Sequence, residues 1–340
     1  MNTHLPAWTE RYDGGSMAEE ARIFDELARR MHTVQERNQV AAGTACPMRT
    51  LHAKIIAGLT NARIEVDPTL PVSLRVGHFQ PGNRLPALVR LSNASGVPQP
   101  DAKSDMRGIA IRISTAAGQP HDLLMTNFPA SHARNARQFV DFAVIASGDR
   151  STMKERLVEH FGAEETQRML TNIQAGMRPC MSVATEQFWS RGAYLWGDQA
   201  VRFELRPTAA QGSTFMSPDQ SPSTETGDQL FEELGRRLNE GDVRYRLAIR
   251  AFVNEEVTPI EDASVPWNDE ASSAVEIATL VLPGQDLFGD EGRASRARID
   301  TVAFNPWNAP ADFRPLGNLN RARGAVYGSS ARHWQNQVQD

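Results

Sequence analysis

The apolar residues near the start of the chain follow the period of a helix. Ser16 can cap a helix N-terminus, and Glu19 stands three residues after it, which is the spacing of a capping box. Behind this cap, four apolar residues recur at helical spacing: Ile23, Phe24, Leu27 and Met31. The pattern predicts an amphipathic helix over residues 16–38.

Further along, the pattern changes to the period of two that is typical of strands. In residues 243–251 five alternate positions share one face, which predicts a buried side: Val243, Tyr245, Leu247, Ile249 and Ala251. Three arginines share the opposite face, which we expect to be wet: Arg244, Arg246 and Arg250. Short branched segments bounded by Pro, Gly, Asn or Asp predict further strands at 72–79, 87–92, 108–113, 200–206 and 274–283.

Together these elements predict an α+β fold, a mainly antiparallel β-barrel with surrounding helices. Strands occur in both halves of the chain, which favours a closed or nearly closed sheet. Helical periods predict further helices at about 132–146, 150–176 and 228–240. The segment 207–227 is rich in Ser, Thr, Gln, Pro and Gly, and we expect an exposed loop there.

Length, charge and cysteines narrow the class of partner. A chain of 340 residues can enclose a cofactor, and we interpret it as a single domain. The net charge of -5 gives no electrostatic reason to bind nucleic acid or an anionic membrane, so a small-molecule partner is favoured. Cys46 and Cys180 form neither a disulfide framework nor a zinc motif. With no leader-like N-terminus and no spanning segment, we expect a soluble cytoplasmic protein without stable membrane insertion.

The first candidate for chemistry is the pair Arg323 and Tyr327 near the C-terminus. On a helix, residues four apart share one face. A phenol becomes a good metal ligand only after it loses its proton, and a nearby guanidinium stabilises the phenolate. The spacing is therefore suited to a haem-iron ligand pair. An Arg-x-x-x-Tyr spacing is common, and ordinary helix packing explains it equally well in isolation.

The second candidate is His52, in the segment Arg49-Thr-Leu-His52-Ala-Lys54. A histidine with a near-neutral pKa could take a proton from a peroxide and return it to the leaving oxygen. The ordinary alternative is a histidine satisfied by a neighbour, because the chain has eight of them. Five of the others carry no catalytic expectation and should be mostly exposed or locally satisfied: His78, His121, His132, His160 and His333.

Four motifs in order resemble the catalase family, and they extend from about residue 49 to residue 327. The Val89–Gly96 run followed by Asp105–Arg112 resembles the catalase strand pair, in which a VRFS-like strand precedes a DxRGFA-like strand. The Asp122–Pro129 stretch resembles the segment that follows, with Asn127 two residues before the proline. Residues 49–54 resemble the family's RxxHAK/R motif, and residues 323–327 resemble its RxxxY ligand motif.

The resemblance implies a haem b iron site on a catalase-like barrel. Tyr327 would be the metal ligand, Arg323 the partner of its phenolate, and His52 the distal base. The elements would be the helix at about 16–38, the barrel with its helices at about 45–300, and the proximal ligand helix at about 317–334.

The resemblance also implies supporting roles around this centre. Ser92 would orient the imidazole of His52, and Asn127 would donate a hydrogen bond to the bound peroxide. Arg49 and Arg90 would pair with the haem propionates. Each has an ordinary alternative: Asn127 can make a turn, Ser92 can end a strand, and Arg90 needs an anionic partner with or without haem.

Departures from the family shift the expected activity. The chain resembles only the barrel core of a longer catalase subunit, and Ile55 and Ile56 follow Lys54 where catalases usually have a glycine. Both features suggest a more open pocket that admits organic molecules. We therefore expect a haem-dependent peroxidase that reduces hydrogen peroxide or organic hydroperoxides with an organic electron donor through an oxyferryl intermediate.

Three alternatives stay open. A true catalase would disproportionate hydrogen peroxide. A fatty-acid hydroperoxide isomerase or dehydratase resembling the allene oxide synthases would need no donor, and Thr50 would be its tuning hydroxyl. A non-catalytic barrel would hold side chains or an apolar ligand. If the protein forms a homo-oligomer, we expect a dimer.

Overall fold

The computed structural model describes residues 7–45, 48–208 and 227–336, with side chains described as far as residue 332. Its helices are α1 Met17–Ala41, α2 Ala136–Ala146, α3 Met153–Phe161, α4 Ala163–Gly176, α5 Gln229–Glu240, α6 Asp290–Asp300 and α7 Asn318–Asn336. Its strands are β1 Ile55–Val66, β2 Arg84–Asn93, β3 Arg107–Ser114, β4 Pro120–Thr126, β5 Phe188–Trp189, β6 Ala193–Trp196, β7 Gln199–Pro207, β8 Val243–Ala251, β9 Val275–Leu282 and β10 Pro315–Leu316. Most of the predicted loop at 207–227 lies outside the described residues.

Eight strands form a closed antiparallel barrel. The order is β1-β2-β3-β4-β5-β7-β8-β9, and β9 pairs again with β1. The short strands β6 and β10 extend the sheet from β7. Closure leaves the eight barrel strands without a free edge between them, which protects such a sheet from pairing with other chains. The predicted barrel with surrounding helices is confirmed.

The pleat of the strands separates an apolar interior from an outer face that carries polar and small residues. On β2, Val89 and Leu91 point into the main core. Arg90 and Ser92, which alternate with them along the strand, therefore lie on the outer face. Directly across from Ser92 is Gly108 on β3. Helices α1, α2 and α7 pack together through a second apolar cluster opposite this part of the barrel. A space lined by residues of both layers lies between them.

Most helices and strands agree with the predicted positions. The Oγ of Ser16 accepts a hydrogen bond from the amide of Glu19 at 3.2 Å, and α1 continues to Ala41. The predicted helix at 150–176 is two helices that meet at Gly162, whose φ of 82° no residue inside a helix adopts. Within the predicted 132–146 segment, the helix begins only at Ala136, where Asn135 caps it.

The predicted strand at 72–79 was wrong. Val72–Leu74 forms a single 3-10 turn, and beyond it only Val76 and Phe79 form an isolated bridge. The side chain of Val72 is 76% exposed, so its branched shape does not pack on a sheet. A strand propensity depends on such packing. Gly77, with a φ of 49°, also turns the chain within this segment.

The expected wet face of residues 243–251 was wrong at Arg250. Arg246 is exposed, whereas Arg250 is only 4% exposed. Its Nε donates to the buried carboxylate of Glu204 on β7 at 2.9 Å. The segment that follows β8 covers this end of the strand, because the carbonyl of Ser272 accepts a further hydrogen bond from Arg250. The alternation correctly predicts the strand but not what covers its outer face.

Two histidines lie in an aromatic cluster of the main core. Nδ1 of His121 on β4 is 3.1 Å from Nε2 of His78, and the ring of His121 stacks on Phe313 at a centroid distance of 4.7 Å. Burial lowers the pKa of His78 to about 4 and the pKa of His121 to about 3. The sequence predicted such a histidine to be exposed or locally satisfied. His121 has no exposed surface, and His78 is its local partner.

We therefore predict that His121 makes the protein acid-labile. A folded-state pKa below the usual 6.5 means that stability is complete above pH 6.5 and is lost as the pH falls towards the folded value. In His121→Phe, the slope of the unfolding free energy against pH, measured by urea titrations from pH 6.5 to 4, decreases by up to about 1.4 kcal/mol per pH unit. An unchanged slope in His121→Phe would contradict the assignment.

Candidate active site

A cavity of 520 Å³ lies between the outer face of β2–β4 and the helices α1, α2 and α7. Most of its wall is apolar, with Met31 and Val34 from α1 and Phe139 and Val140 from α2. Five arginines also line it: Arg49, Arg90, Arg150, Arg191 and Arg323. No aspartate or glutamate stands among the described residues of the wall. The cavity is therefore suited to an apolar molecule that carries negative charge.

Tyr327 and Arg323 form a direct pair on the face of α7 that lines this cavity. Nη2 of Arg323 donates to the phenol oxygen of Tyr327 at 3.0 Å, and Nη1 donates to Oδ1 of Asn320 at 3.1 Å. Burial alone would lower the pKa of Arg323, but the phenols of Tyr327 and Tyr194 outweigh it and raise that pKa. The guanidinium stays charged and can stabilise a Tyr327 phenolate, the form of a phenol that binds iron.

His52 lines the same cavity in a strained backbone conformation. Among the described residues it is the only non-glycine with a positive φ, 57°. A conformation of this kind costs on the order of 1–3 kcal/mol and persists where the surrounding structure imposes it. Here the backbone amide of His52 donates to the carbonyl of Ala94 at 3.0 Å, and Ala53 donates to Ser95 in the same way. These two bonds hold the His52 segment beside the end of β2.

The imidazole of His52 is fixed by a serine and a glycine. Its Nδ1 is 3.1 Å from Oγ of Ser92, as the predicted orienting role requires. A Cβ at Gly108 would lie 2.6 Å from the ring, so only glycine admits the imidazole there. Burial, followed by the charges of Arg90 and other arginines, lowers the pKa of His52 to about 3. The ring is thus neutral at physiological pH and can accept a proton.

Arg49 and Arg90 lie in the wall together, next to the C-terminal end of α6. Arg90 donates from Nη2 to the carboxylate of Asp300 at 3.0 Å and to the carbonyl of His52 at 3.0 Å. Arg49 donates to the carbonyls of Asp300 and Val302 at 2.7 and 2.9 Å. Burial lowers the pKa of Arg49 to about 9. Asp300 is the anionic partner that the sequence required for Arg90.

Asn127 is the predicted site residue that the structure does not bring into the wall. It is 1% exposed, and its neighbour Thr126 lines the cavity instead. Its Nδ2 donates to Glu186 at 2.9 Å, and its Oδ1 accepts from the amide of Arg107 at 2.8 Å. A peroxide-binding role for Asn127 stays a prediction, and these contacts describe a residue that joins β4 to its surroundings.

Among the polar residues of the wall that sequence reasoning missed are Arg191 and His132. Arg191 lies in the turn between β5 and β6, and no motif marks it. His132 was expected to be locally satisfied, yet its Nε2 is buried without a partner among the described residues. Its ring packs against Phe139 and Phe142, at centroid distances of 5.0 and 4.6 Å. Neither residue could have been found from local spacing, because both reach the cavity from loops.

The closed antiparallel barrel with its covering helices is the catalase-like class of fold. A fungal catalase has a TM-score of 0.69 and 18% identity, over 100% of this chain and 68% of that one. Catalase A from Saccharomyces cerevisiae has a TM-score of 0.68 and 16% identity, over 98% and 69%. A catalase-related peroxidase of Mycolicibacterium paratuberculosis is 26% identical over 300 residues, which cover 84% of this chain and 88% of that protein. The catalase family model matches residues 27–277, and the chain belongs to this family.

The helices in the described part of the chain were also compared with the dimensions of a lipid bilayer. None of the helices there combines the length and the apolar character that a bilayer crossing needs.

We predict that Gly108 is required for the position of His52. In Gly108→Ala the new methyl group displaces the ring, and the unfolding free energy falls by about 1–3 kcal/mol, as overpacking usually costs. Gly241→Ala, where an added Cβ meets nothing within 4 Å, is the matched control. Chemical denaturation should also show that the cost of Gly108→Ala shrinks in a His52→Ala background. Equal costs in both backgrounds would mean that the methyl group does not act through His52.

Proposed function

We propose that the protein is a haem-dependent peroxidase that reduces hydrogen peroxide or an organic hydroperoxide with an organic electron donor. The observation that carries this proposal is the buried Arg323–Tyr327 pair, at 3.0 Å, in the wall of the cavity that His52 also lines. Membership of the catalase family supports it. The relative from Mycolicibacterium paratuberculosis is named a catalase-related peroxidase, which supports the peroxidase reading.

The cavity fits haem b in size and in chemistry. Sites for cofactor-sized ligands usually have about 300–1,000 Å³, and this one has 520 Å³. The largely apolar wall suits a porphyrin ring, and the arginines suit its two carboxylates. Tyr327 would be the iron ligand and Arg323 the partner of its phenolate. When bound, the haem iron would supply the electrons that break the O–O bond of the peroxide.

His52 would move the proton in this reaction. Its pKa of about 3 keeps the imidazole in the neutral form that accepts a proton, although this value lies well below the near-neutral pKa expected from the sequence. The ring would take the proton of a peroxide and pass it to the oxygen that leaves. The contact with Oγ of Ser92 at 3.1 Å fixes the ring while it does so. The strained backbone at His52 supports this role, since strain is commonly retained where a side chain must be held for chemistry.

Arg49 and Arg90 would hold the haem propionates beside Asp300. Both guanidinium groups already hydrogen-bond to protein acceptors, so they are oriented before any ligand arrives. Asp300 and a propionate would then both pair with Arg90. The side chain of Asp300 is 44% exposed, so water and salt screen its charge and weaken the repulsion between the two carboxylates. A hydrogen bond from Asn127 to the peroxide stays a prediction, and Nδ2 of Asn127 would have to leave Glu186 to make it.

The apolar wall supports an organic donor over disproportionation of hydrogen peroxide alone. The isomerase alternative has less support, because the hydroxyl of Thr50 is 3.0 Å from that of Ser330 on α7 and is thus engaged. We also propose one domain and a cytoplasmic setting, in keeping with the buried free thiol of Cys180, whose pKa burial raises to about 12. We also propose that the protein forms a dimer.

We predict that Tyr327→Phe loses haem or changes its spectrum. The substitution removes the ligand oxygen and leaves the guanidinium of Arg323 in place, so haem titration monitored at the Soret band should show at least tenfold weaker binding. Tyr12→Phe is a matched control, because Arg321 also packs over that ring, at 4.8 Å, but outside the cavity wall. Parental affinity and an unchanged spectrum in Tyr327→Phe would rule out the ligand assignment.

We predict that His52→Ala retains haem but reacts with peroxide about 10²–10⁴ times more slowly, the usual contribution of a positioned base. Stopped-flow mixing with hydrogen peroxide measures this rate, and His160→Ala is the control. In the parent the rate should stay level from pH 8 to 5, because the base form is lost only as the pH falls through about 3. A His52→Ala rate equal to that of the parent would contradict the role. Oxygen release without any donor would favour a true catalase.

A further inference from the structure

Arg191 is a cavity residue whose guanidinium pairs with no carboxylate among the described residues. Its Nη2 contacts the thioether sulfur of Met106 at 2.7 Å, and sulfur is a weak acceptor. Its Nε is buried and makes no hydrogen bond within the described residues. Burial lowers the pKa of this guanidinium to about 10, and the charge of Arg323 adds to the effect. The phenol of Tyr327 acts in the opposite direction. A buried charge without a good acceptor is costly, because the hydration that it loses is not replaced.

The neighbouring arginines show how unusual this is. Arg90 has the carboxylate of Asp300, and Arg323 has the phenol of Tyr327. Arg49 donates to two backbone carbonyls. Only Arg191 of these four lacks an oxygen acceptor among the described residues. Since the wall there holds no aspartate or glutamate, a carboxylate acceptor for Arg191 would have to belong to a molecule in the cavity.

His132 offers a second unsatisfied polar atom to the same space. Its Nε2 is buried without a partner in the described structure, and the residue lines the cavity. Both side chains line the same cavity. Burial lowers the pKa of His132 to about 3, and the charge of Arg191 contributes to this shift. The imidazole is neutral and can donate one hydrogen bond. Arg191 and His132 reach the cavity from separate loops, after β5 and β4.

We infer that Arg191 and His132 together bind a carboxylate, which we call the Arg191–His132 site. The planar guanidinium donates to both oxygens of such a group, and the neutral imidazole adds a donor without adding charge. Phe139 and Phe142 pack on the ring of His132, so the carboxylate would be attached to an apolar body. The site therefore fits an amphipathic carboxylate, either the acid group of an organic substrate or one of the two haem propionates, in which case Arg49 and Arg90 would together hold the other.

The experiment replaces Arg191 by methionine, which has a similar length and no charge. If the site binds an organic acid, calorimetric titration should show that octanoate binds Arg191→Met at least tenfold more weakly than it binds the parent. The affinity of Arg191→Met for uncharged 1-octanol should stay within twofold of the parental value. If the site binds a haem propionate, haem b should dissociate from Arg191→Met at least tenfold faster than from the parent. Haem dimethyl ester, which has no free carboxylates, should dissociate from both proteins at the same rate. Either result supports the Arg191–His132 site. Parental octanoate affinity together with a parental rate of haem dissociation in Arg191→Met would overturn it. We call these two measurements the octanoate arm and the propionate arm.

Controls separate this inference from a general loss of charge or of folding. Arg84→Met removes an arginine whose side chain is 77% exposed and should change neither arm. Arg191→Lys, which retains a cation, should recover part of the lost binding. Because an uncompensated charge is removed, ligand-free Arg191→Met should unfold at a higher urea concentration than the parent, and a lower midpoint counts against the inference.

The propionate arm rests on the proposed haem function, and the octanoate and urea measurements do not. If the parent binds no haem, the proposed function fails, and these two measurements still decide whether Arg191 and His132 form a carboxylate site.

Discussion

The pairing of β7 with β8 closes the barrel, and the site depends on that closure. A closed sheet has one inner face, and apolar side chains such as Val89 and Leu91 fill it. Alternation then forces Arg90 and Ser92 of the same strand outward. Helices α1, α2 and α7 cover this outer face without filling it, so the cavity is a consequence of how the sheet divides its side chains.

The electrostatic character of the cavity follows from the same division. Arg49, Arg90, Arg191 and Arg323 all act on His52, and burial together with these charges keeps its imidazole neutral. The same charges favour a negatively charged molecule in the cavity. Proton acceptance by His52 and recognition of an acidic ligand are therefore two results of one charge distribution, and neither can be altered without affecting the other.

Local sequence signals predicted much of the fold and the core of the site. The 243–251 strand, the Ser16 cap and the pairing of Arg323 with Tyr327 depend on neighbours within a few residues, so spacing was sufficient to find them. The errors arose where distant segments decide burial. Val72 has no sheet to join, and Arg250 is covered by the segment that contains Ser272. Arg191 and His132 act in the site through loops whose positions only the folded chain defines.

The hydrogen bond between Thr50 and Ser330 joins residues that are 280 positions apart in the chain. Contacts of such long sequence separation form late, because the intervening chain must first lose its freedom. During synthesis the barrel strands leave the ribosome well before α7, which carries Tyr327 and Arg323. The cavity is thus complete only once α7 has been synthesised and has packed on the barrel, and any cofactor that needs both walls binds only after that step.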